Sequence, residues 1–220
     1  MQATTDRARF NMIEQQVRPW EVLDQRVLTV MRELPREAFV PDAYRGLAYA
    51  DIEIPLGDQA AMLAPKVVGR LLQAVQVQPH ETVLEIGTGT GYVTACLAHL
   101  GKRVLSLEID PALAEGARAR LEAMGLSHTE VHTGDAFSGH IDGGPFDVIA
   151  VTGSVPTAEP LAALEQQLTD GGRLFIVVGE PPLMEAMRIT RIGNDIRRES
   201  LFETCIAALE NAPLPERFAF

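Results

Sequence analysis

A short apolar run that ends in three alternating glycines constrains this chain more than any other feature. Val83, Leu84 and Ile86 predict a buried strand of a parallel sheet, and the run Gly87-Thr88-Gly89-Thr90-Gly91 follows it directly. Glycine lacks the Cβ atom that would keep a ligand away from the backbone. The residues from Tyr92 onward predict a helix. We therefore expect an α/β fold in which a strand-to-helix turn holds a ligand.

The spacing of these glycines narrows the class of ligand. A dinucleotide site prefers Gly-x-Gly-x-x-Gly, whereas here the glycines alternate and the bulky Tyr92 follows Gly91. A phosphate-binding loop ends in Gly-Lys-Ser/Thr, but no lysine lies between Lys66 and Lys102. Glu85 suits a ligand with ammonium and sulfonium groups, because a carboxylate would repel phosphates. The turn resembles motif I of the class I methyltransferases, and this resemblance implies S-adenosylmethionine as the cofactor.

Acidic side chains at two further strand ends favour the same cofactor. Glu108 closes the apolar run 103–107, where it is placed for the ribose, and Ile109 is placed to cover one face of the adenine. Asp135 follows a short strand and is placed to accept the adenine amino group. The predicted cofactor-binding residues belong to the turn or to these strand ends: Glu85, Gly87, Thr88, Gly89, Gly91, Glu108, Ile109, Asp135, Ala136 and Thr152.

The order of predicted elements defines the architecture. Helices at 7–17 and 23–33 and a third from Pro65 precede the glycine turn. The elements predicted after the turn are strands at 103–107, 129–133, 145–152 and 173–178, a helix at 158–168, and a hairpin of 184–192 with 196–209. This order predicts an α/β, Rossmann-like class I methyltransferase sandwich. Its seven-stranded, mostly parallel sheet carries an antiparallel C-terminal hairpin and an N-terminal helical extension.

Length and composition agree with a single methyltransferase domain. The 220 residues, 46% of them hydrophobic, suffice for one core. We expect residues 1–80 to form the helical extension and a substrate loop, 81–180 the cofactor-binding core, and 181–220 the C-terminal hairpin and tail. Cys96 and Cys205 are predicted to be buried thiols in a reducing compartment.

Charge and histidine spacing argue against several partners. Thirty acidic against nineteen basic residues give a formal charge of −11, which disfavours nucleic acid as a partner. No apolar run reaches the length of a membrane span and no export signal is recognised, so we expect a cytoplasmic protein with no membrane partner. His128 and His132 have the spacing of a helical ligand pair, but 129–133 is predicted to be a strand, where four residues span about 13 Å, so the two cannot share one metal ion. No metal site is expected.

Nearly the whole chain resembles the protein-L-isoaspartate (D-aspartate) O-methyltransferase family. The most specific segment is Pro35-Arg36-Glu37-Ala38-Phe39-Val40-Pro41, which generic methyltransferases lack and which we expect to be structural. Further matches lie at 11–18, 27–31, 48–51, 134–135, 145–147 and 167–174. The resemblance implies carboxyl O-methylation of L-isoaspartyl residues in damaged proteins, a protein repair reaction, with an isoaspartyl protein or peptide as partner.

The chain departs from the family in the substrate loop, residues 55–65. Leu63 stands at the position of the family serine that is usually given an active-site role, and Ala60 and Ala61 replace a glutamine and a threonine. We therefore leave the catalytic residue unassigned. The predicted substrate-binding residues are Gln59, Met62, Leu63 and Ser154.

These losses leave two alternatives open beside the repair reaction. The first is a methyltransferase for a different, less polar small acceptor, as Met62 and Leu63 suggest. The second is a non-catalytic sensor or assembly protein that binds the cofactor, and the terminal run Arg217-Phe218-Ala219-Phe220 slightly favours it.

Overall fold

A mixed sheet of seven strands forms the centre of the protein, seen in a computed structural model that describes residues 2–57 and 59–215. Including a separate pair, the described residues form nine strands: β1 (Ile54–Pro55), β2 (Ala61–Met62), β3 (Thr82–Ile86), β4 (Arg103–Glu108), β5 (Thr129–Thr133), β6 (Phe146–Val155), β7 (Leu168–Glu180), β8 (Leu183–Ile192) and β9 (Asp195–Glu203). The sheet order is β5-β4-β3-β6-β7-β8-β9, and β1 pairs with β2 in a separate two-stranded sheet.

The strand pairing sets the position of the functional site. Strands β3 to β7 pair in parallel, whereas β8 and β9 form an antiparallel hairpin at one edge. The chain order reverses between β3 and its neighbours β4 and β6. In such sheets a ligand binds beyond the carboxyl ends of the strands at this switch point. The glycine turn follows β3 at that point.

Helices cover both faces of the sheet. They are α1 (Gln2–Met12), α2 (Gln25–Glu33), α3 (Pro65–Val75), α4 (Tyr92–Leu100), α5 (Pro111–Ala123) and α6 (Leu161–Gln166). Asp110 caps α5 by accepting hydrogen bonds from the N–H groups of Ala112 and Leu113, and Pro111 occupies the first helical position. A short π-helical turn, Ile13–Val17, continues α1.

The N-terminal extension packs on α3 through specific contacts. The side chain of Gln73 accepts hydrogen bonds from the N–H groups of Leu23 and Asp24 and donates one to the carbonyl of Glu21. A Cβ atom on Gly69 would lie 2.9 Å from Val17, so a glycine at this point lets the π-helical turn approach α3 closely. The extension is thereby joined to the same core as the sheet.

Some predicted boundaries are wrong. The helix predicted at 158–168 spans only Leu161–Gln166, because a residue before a proline avoids the helical conformation and Pro160 delays the start. β7 begins at Leu168 rather than 173, with a register shift that accommodates Gly171 at a φ of +79°. β9 ends at Glu203, so Cys205 lies beyond the strand and is exposed, whereas Cys96 is buried as predicted.

Candidate functional site

The first two glycines of the turn form a surface without side chains. Gly87 and Gly89 adopt left-handed backbone conformations with φ values of +94° and +54°. A Cβ atom on Gly87 would lie 2.5 Å from Oγ1 of Thr152, and one on Gly89 would lie 3.3 Å from Cδ1 of Leu56. Any larger residue would therefore strain the backbone and fill space above the turn.

A cavity of about 410 Å³, here called the main cavity, lies above this turn. Its walls come from the 53–63 segment, the glycine turn, the end of β4, the end of β6 and a C-terminal segment. The residues that line it are Glu53, Leu56, Gly57, Gln59, Ala60, Ala61, Leu63, Gly87, Gly89, Glu108, Ile109, Asp110, Leu113, Thr152, Gly153, Ala207, Ala208, Leu209 and Glu210. The cavity thus combines predicted cofactor residues with predicted substrate residues.

Glu108 is held rigidly at the edge of the main cavity. Its Oε2 accepts a hydrogen bond from the N–H of Gly89 at 2.7 Å, and its Oε1 accepts one from the N–H of Asp110 at 3.0 Å. The carboxylate is buried but contacts the cavity. This fixed geometry suits hydrogen bonds to vicinal hydroxyl groups, because each oxygen keeps a free lone pair.

Asp135 and Ala136 line a separate, smaller space, here called the side cavity, of about 40 Å³. It shares Gly87 and Glu108 with the main cavity and is bordered by Leu209. Asp135 accepts hydrogen bonds from the Phe137 N–H and from the Asn211 side-chain amide, at 2.8 and 2.9 Å. A ligand that bonds Asp135 must share it with or displace the Asn211 amide.

The prediction that Glu85 faces the cofactor is wrong in this structure. Glu85 lies inside β3, and strand alternation directs it, like Val83, to the face that α4 covers. It is 0% exposed, and its Oε2 accepts hydrogen bonds from the hydroxyl groups of Thr94 and Ser106. Burial raises the pKa of its carboxyl group to about 8, against the effect of these two donors.

Two other residues of the turn contact the protein interior. The hydroxyl of Thr88 hydrogen-bonds that of Ser106, and Thr88 is buried. Gly91 lines none of the cavities described here and instead lets α4 approach α5, since a Cβ atom there would lie 3.3 Å from Cβ of Ala117. The predicted contact of Gly91 with the cofactor is therefore replaced by a role in helix packing.

The substrate loop contains the hairpin of β1 and β2, which the sequence analysis does not predict because each strand has only two residues. Ile54 pairs with Met62, and the N–H of Leu56 donates to the carbonyl of Ala60 at 2.7 Å. Leu63 is 5% exposed and lines the main cavity. Met62 is buried against a space of only about 30 Å³ behind it, here called the small cavity.

Arg36 fixes this loop from below. It is fully buried and donates hydrogen bonds to the carbonyls of Ala48, at 2.9 Å, and Leu63, at 2.8 Å. Its guanidinium lies 4.8 Å from the centre of the Tyr92 ring, and burial lowers its pKa. The Pro-Arg-x-x-Phe-Val-Pro segment therefore joins the N-terminal extension, the substrate loop and the helix after the glycine turn.

Ser154 is not a substrate residue in this structure. It is buried, and its hydroxyl donates to the carbonyl of Ile206. Its backbone pairs with the C-terminal segment, through the N–H to Ala207 at 2.9 Å and through the carbonyl to Leu209 at 2.8 Å. Thr152 and Gly153 line the main cavity instead, and the register of β6 against β7 is irregular between Ala150 and Ser154.

Sequence reasoning assigned one part of the cavity wall to the wrong element and missed another. Residues 207–209 were predicted to end the hairpin strand 196–209, whereas the segment 207–210 crosses to β6 and contacts the glycine turn through Leu209. Glu53 was given no role, although a charged residue beside the apolar Ile52 and Ile54 was the available signal. Among the described residues, no lysine or arginine lines the main cavity.

The comparisons with known proteins concern almost the full chain. The model of the protein-L-isoaspartate (D-aspartate) O-methyltransferase family matches residues 7–207. The chain belongs to this family. The sequence prediction of an S-adenosylmethionine-dependent methyltransferase of this family is therefore confirmed.

Curated relatives and solved structures agree with this assignment. A protein-L-isoaspartate O-methyltransferase of Methylorubrum extorquens (strain PA1) is 42% identical over 188 residues, which are 86% of this chain and 81% of the relative. A protein-L-isoaspartate O-methyltransferase of Koribacter versatilis (strain Ellin345) is 41% identical over 196 residues, which are 89% of this chain and 86% of the relative.

Two solved structures share the fold. A protein-L-isoaspartate O-methyltransferase superimposes with a TM-score of 0.79 at 24% identity, covering 93% of this chain and 66% of its own. A Plasmodium falciparum protein-L-isoaspartate O-methyltransferase in complex with S-adenosyl-L-homocysteine superimposes with a TM-score of 0.77 at 19% identity. The match covers 94% of this chain and 98% of the other. The predicted fold class is confirmed.

Three other predictions concern membrane helices, metal ions and the C-terminal run. Within residues 2–57 and 59–215, no helix is long and apolar enough to cross a membrane. In the same ranges, no group of three or more histidine, cysteine, aspartate or glutamate residues is arranged to hold a metal ion. The terminal run 217–220 lies outside the described residues.

Proposed function

We propose that this protein transfers a methyl group from S-adenosylmethionine to the carboxylate of L-isoaspartyl residues in damaged proteins. The observation that carries the proposal is the main cavity, whose walls unite the glycine turn and Glu108 with the substrate loop. The residues that line the main cavity fit this cofactor. Gly87 and Gly89 leave room that a Cβ atom would fill, and the anchored carboxylate of Glu108 suits ribose hydroxyls.

The residues of the site bind and align the reactants. When bound, S-adenosylmethionine supplies an electrophilic methyl group on a positively charged sulfur. Glu108 and Ile109 hold the nucleoside side of the cavity. Leu56 and Leu63 line the side of the substrate loop with apolar groups that exclude water. Exclusion of water and alignment together can lower a barrier by several kcal/mol.

Methylation of a carboxylate requires little proton transfer, because the acceptor is already ionised at neutral pH. The displacement neutralises an anion and a cation, which a low-dielectric site favours. This explains how the reaction can proceed with Leu63 in place of the family serine. The rigid position of the loop, set by Arg36 through the Leu63 carbonyl, takes over part of the alignment.

The loss of the serine and threonine weakens substrate recognition. Each buried polar group of the peptide that finds no partner costs about 1 to 3 kcal/mol. The side chain of Gln59, exposed at the mouth of the cavity, is the polar residue placed to compensate. We therefore propose Gln59 and Leu63 as contacts of the acceptor.

A methyl-transfer assay with labelled cofactor tests the proposal. An isoaspartyl peptide should acquire a base-labile methyl ester, and the matched aspartyl peptide should not. Binding of S-adenosylhomocysteine without ester formation would refute the proposed acceptor and favour one of the two alternatives, a less polar acceptor or a cofactor-binding protein without catalysis. Absence of cofactor binding would refute the proposal as a whole.

We also propose that residues 1–220 act as one methyltransferase domain. Support comes from the main cavity, which draws on residues between 53 and 210. The predicted absence of nucleic-acid and membrane partners and the cytoplasmic location stay predictions.

A further inference from the structure

The ammonium group of the cofactor needs an anionic partner, and the burial of Glu85 leaves this role open. Glu85 does not line the main cavity, and its Oε1 is buried without a hydrogen-bond partner. Another acidic side chain in the cavity wall would supply this charge for the cofactor-binding function proposed above. Among the described residues, four acidic side chains line it: Glu53, Glu108, Asp110 and Glu210.

Three of these four are poorly suited. Glu108 lies at the ribose side, where the N–H groups of Gly89 and Asp110 hold its carboxylate and its free lone pairs are assigned to the ribose hydroxyls. Asp110 is exposed and caps α5. Glu210 is exposed on the C-terminal segment, where water screens its charge.

Within the described residues, Glu53 differs from the other three in combining partial desolvation with the lack of a partner. It is half-buried, and within the described residues it has no hydrogen bond or ion pair. Burial alone raises the pKa of its carboxyl group, which means that the surroundings disfavour the anion. A cationic ligand would compensate for this cost, because opposite charges attract more strongly in a partly desolvated site.

The local structure holds Glu53 in position. It directly precedes β1, whose Ile54 is fully buried and pairs with Met62. The same hairpin carries Leu56, whose side chain reaches the space above Gly89. A residue placed at the start of this hairpin is therefore fixed relative to the glycine turn.

We propose that Glu53 binds the α-ammonium group of S-adenosylmethionine, in the place that the sequence suggests for Glu85. This assigns the amino-acid end of the cofactor to the side of the main cavity formed by the substrate loop. It also gives the otherwise unpaired carboxylate a counter-charge only when the cofactor is present.

Calorimetric binding of two nucleosides tests the assignment. S-adenosylhomocysteine carries the ammonium group, whereas 5′-methylthioadenosine lacks the whole amino-acid end. Glu53→Gln should weaken binding of S-adenosylhomocysteine about tenfold or more, because a hydrogen bond between charged groups is lost, and leave that of methylthioadenosine within about twofold. Glu203→Gln is the control, because it removes the same charge at the exposed end of the edge strand β9. It should change the affinity for neither nucleoside.

The outcomes separate this inference from the proposed function. Unchanged S-adenosylhomocysteine binding by Glu53→Gln overturns the role of Glu53 alone. An equal loss for both nucleosides also overturns it, because the effect would then not depend on the ammonium group. Failure of the unchanged protein to bind S-adenosylhomocysteine overturns both this inference and the proposed function.

Discussion

Replacement of Arg36 by leucine is expected to destabilise the protein strongly. The buried guanidinium donates hydrogen bonds to the carbonyls of Ala48 and Leu63, and the change removes both donors. Each buried acceptor left without a donor costs about 1 to 3 kcal/mol. Loss of the contact with the Tyr92 ring adds about 1 to 2 kcal/mol.

The desolvation of the guanidinium offsets part of this loss. Burial lowers the pKa of Arg36, so the folded state holds its charge at a cost that leucine does not have. We expect a net decrease of about 3 kcal/mol in the free energy of unfolding. For a chain of 220 residues this corresponds to a decrease of roughly 6 to 12 °C in Tm.

Urea unfolding followed by circular dichroism measures the effect. Arg197→Leu is the control, because Arg197 is exposed and its ion pair with Glu199 lies at the surface; its effect should stay within about 0.5 kcal/mol. Arg36→Lys should lie between the two, since an ammonium cannot reproduce the planar fork of two donors. A decrease below about 1 kcal/mol for Arg36→Leu would refute the view that this side chain supports the loop.

Three further predictions concern the turn, the loop and the buried acid. Gly89→Val should abolish S-adenosylhomocysteine binding in calorimetry while circular dichroism stays unchanged, because the side chain fills the space above the turn; retained binding would contradict the cavity assignment. Leu63→Ser combined with Ala61→Thr should increase methylation of an isoaspartyl peptide about tenfold if the loop limits recognition, and an unchanged rate would locate the limitation elsewhere. Glu85 has a pKa of about 8 in the folded protein against 4.5 ordinarily, so the folded state binds the extra proton and stability falls as pH rises between about 4.5 and 8. Glu85→Gln should reduce this slope in urea unfolding measured across that range, and an unchanged slope would argue that Glu85 is not the group responsible.

Four of the predicted cofactor residues line one cavity for a simple geometric reason. Parallel strands end at the same edge of a sheet, so residues that follow β3 and β4 must lie close together. Gly87, Gly89, Glu108 and Ile109 do so. Glycine also permits the positive φ values that the structure contains at Gly87 and Gly89.

Side-chain direction was the first source of error. Glu85 lies inside β3, where alternate residues face opposite sides of the sheet, and Ser154 lies near the end of β6. Their directions depend on which helix or segment covers each face, and β6 also contains a register irregularity after Ala150. Proximity in sequence to Gly87 or Thr152 therefore did not place them in the cavity.

Long-range chain crossings were the second source. The C-terminal segment leaves the edge strand β9 and pairs with Ser154 by one isolated bridge. Such a contact has no periodic pattern of its own, so the alternation of apolar residues extended the predicted strand to 209. Its short apolar side chains, such as Ala207 and Ala208, form part of the cavity wall.

This late crossing has a consequence for the order in which the protein is made. A nascent chain that has emerged up to Glu203 contains all seven strands of the sheet and the entire glycine turn, yet it lacks the wall formed by 207–210. Ligand binding stabilises only the conformation that contains the complete site. The cofactor can therefore assist the finished protein against unfolding, while the sheet must form during synthesis from its own packing.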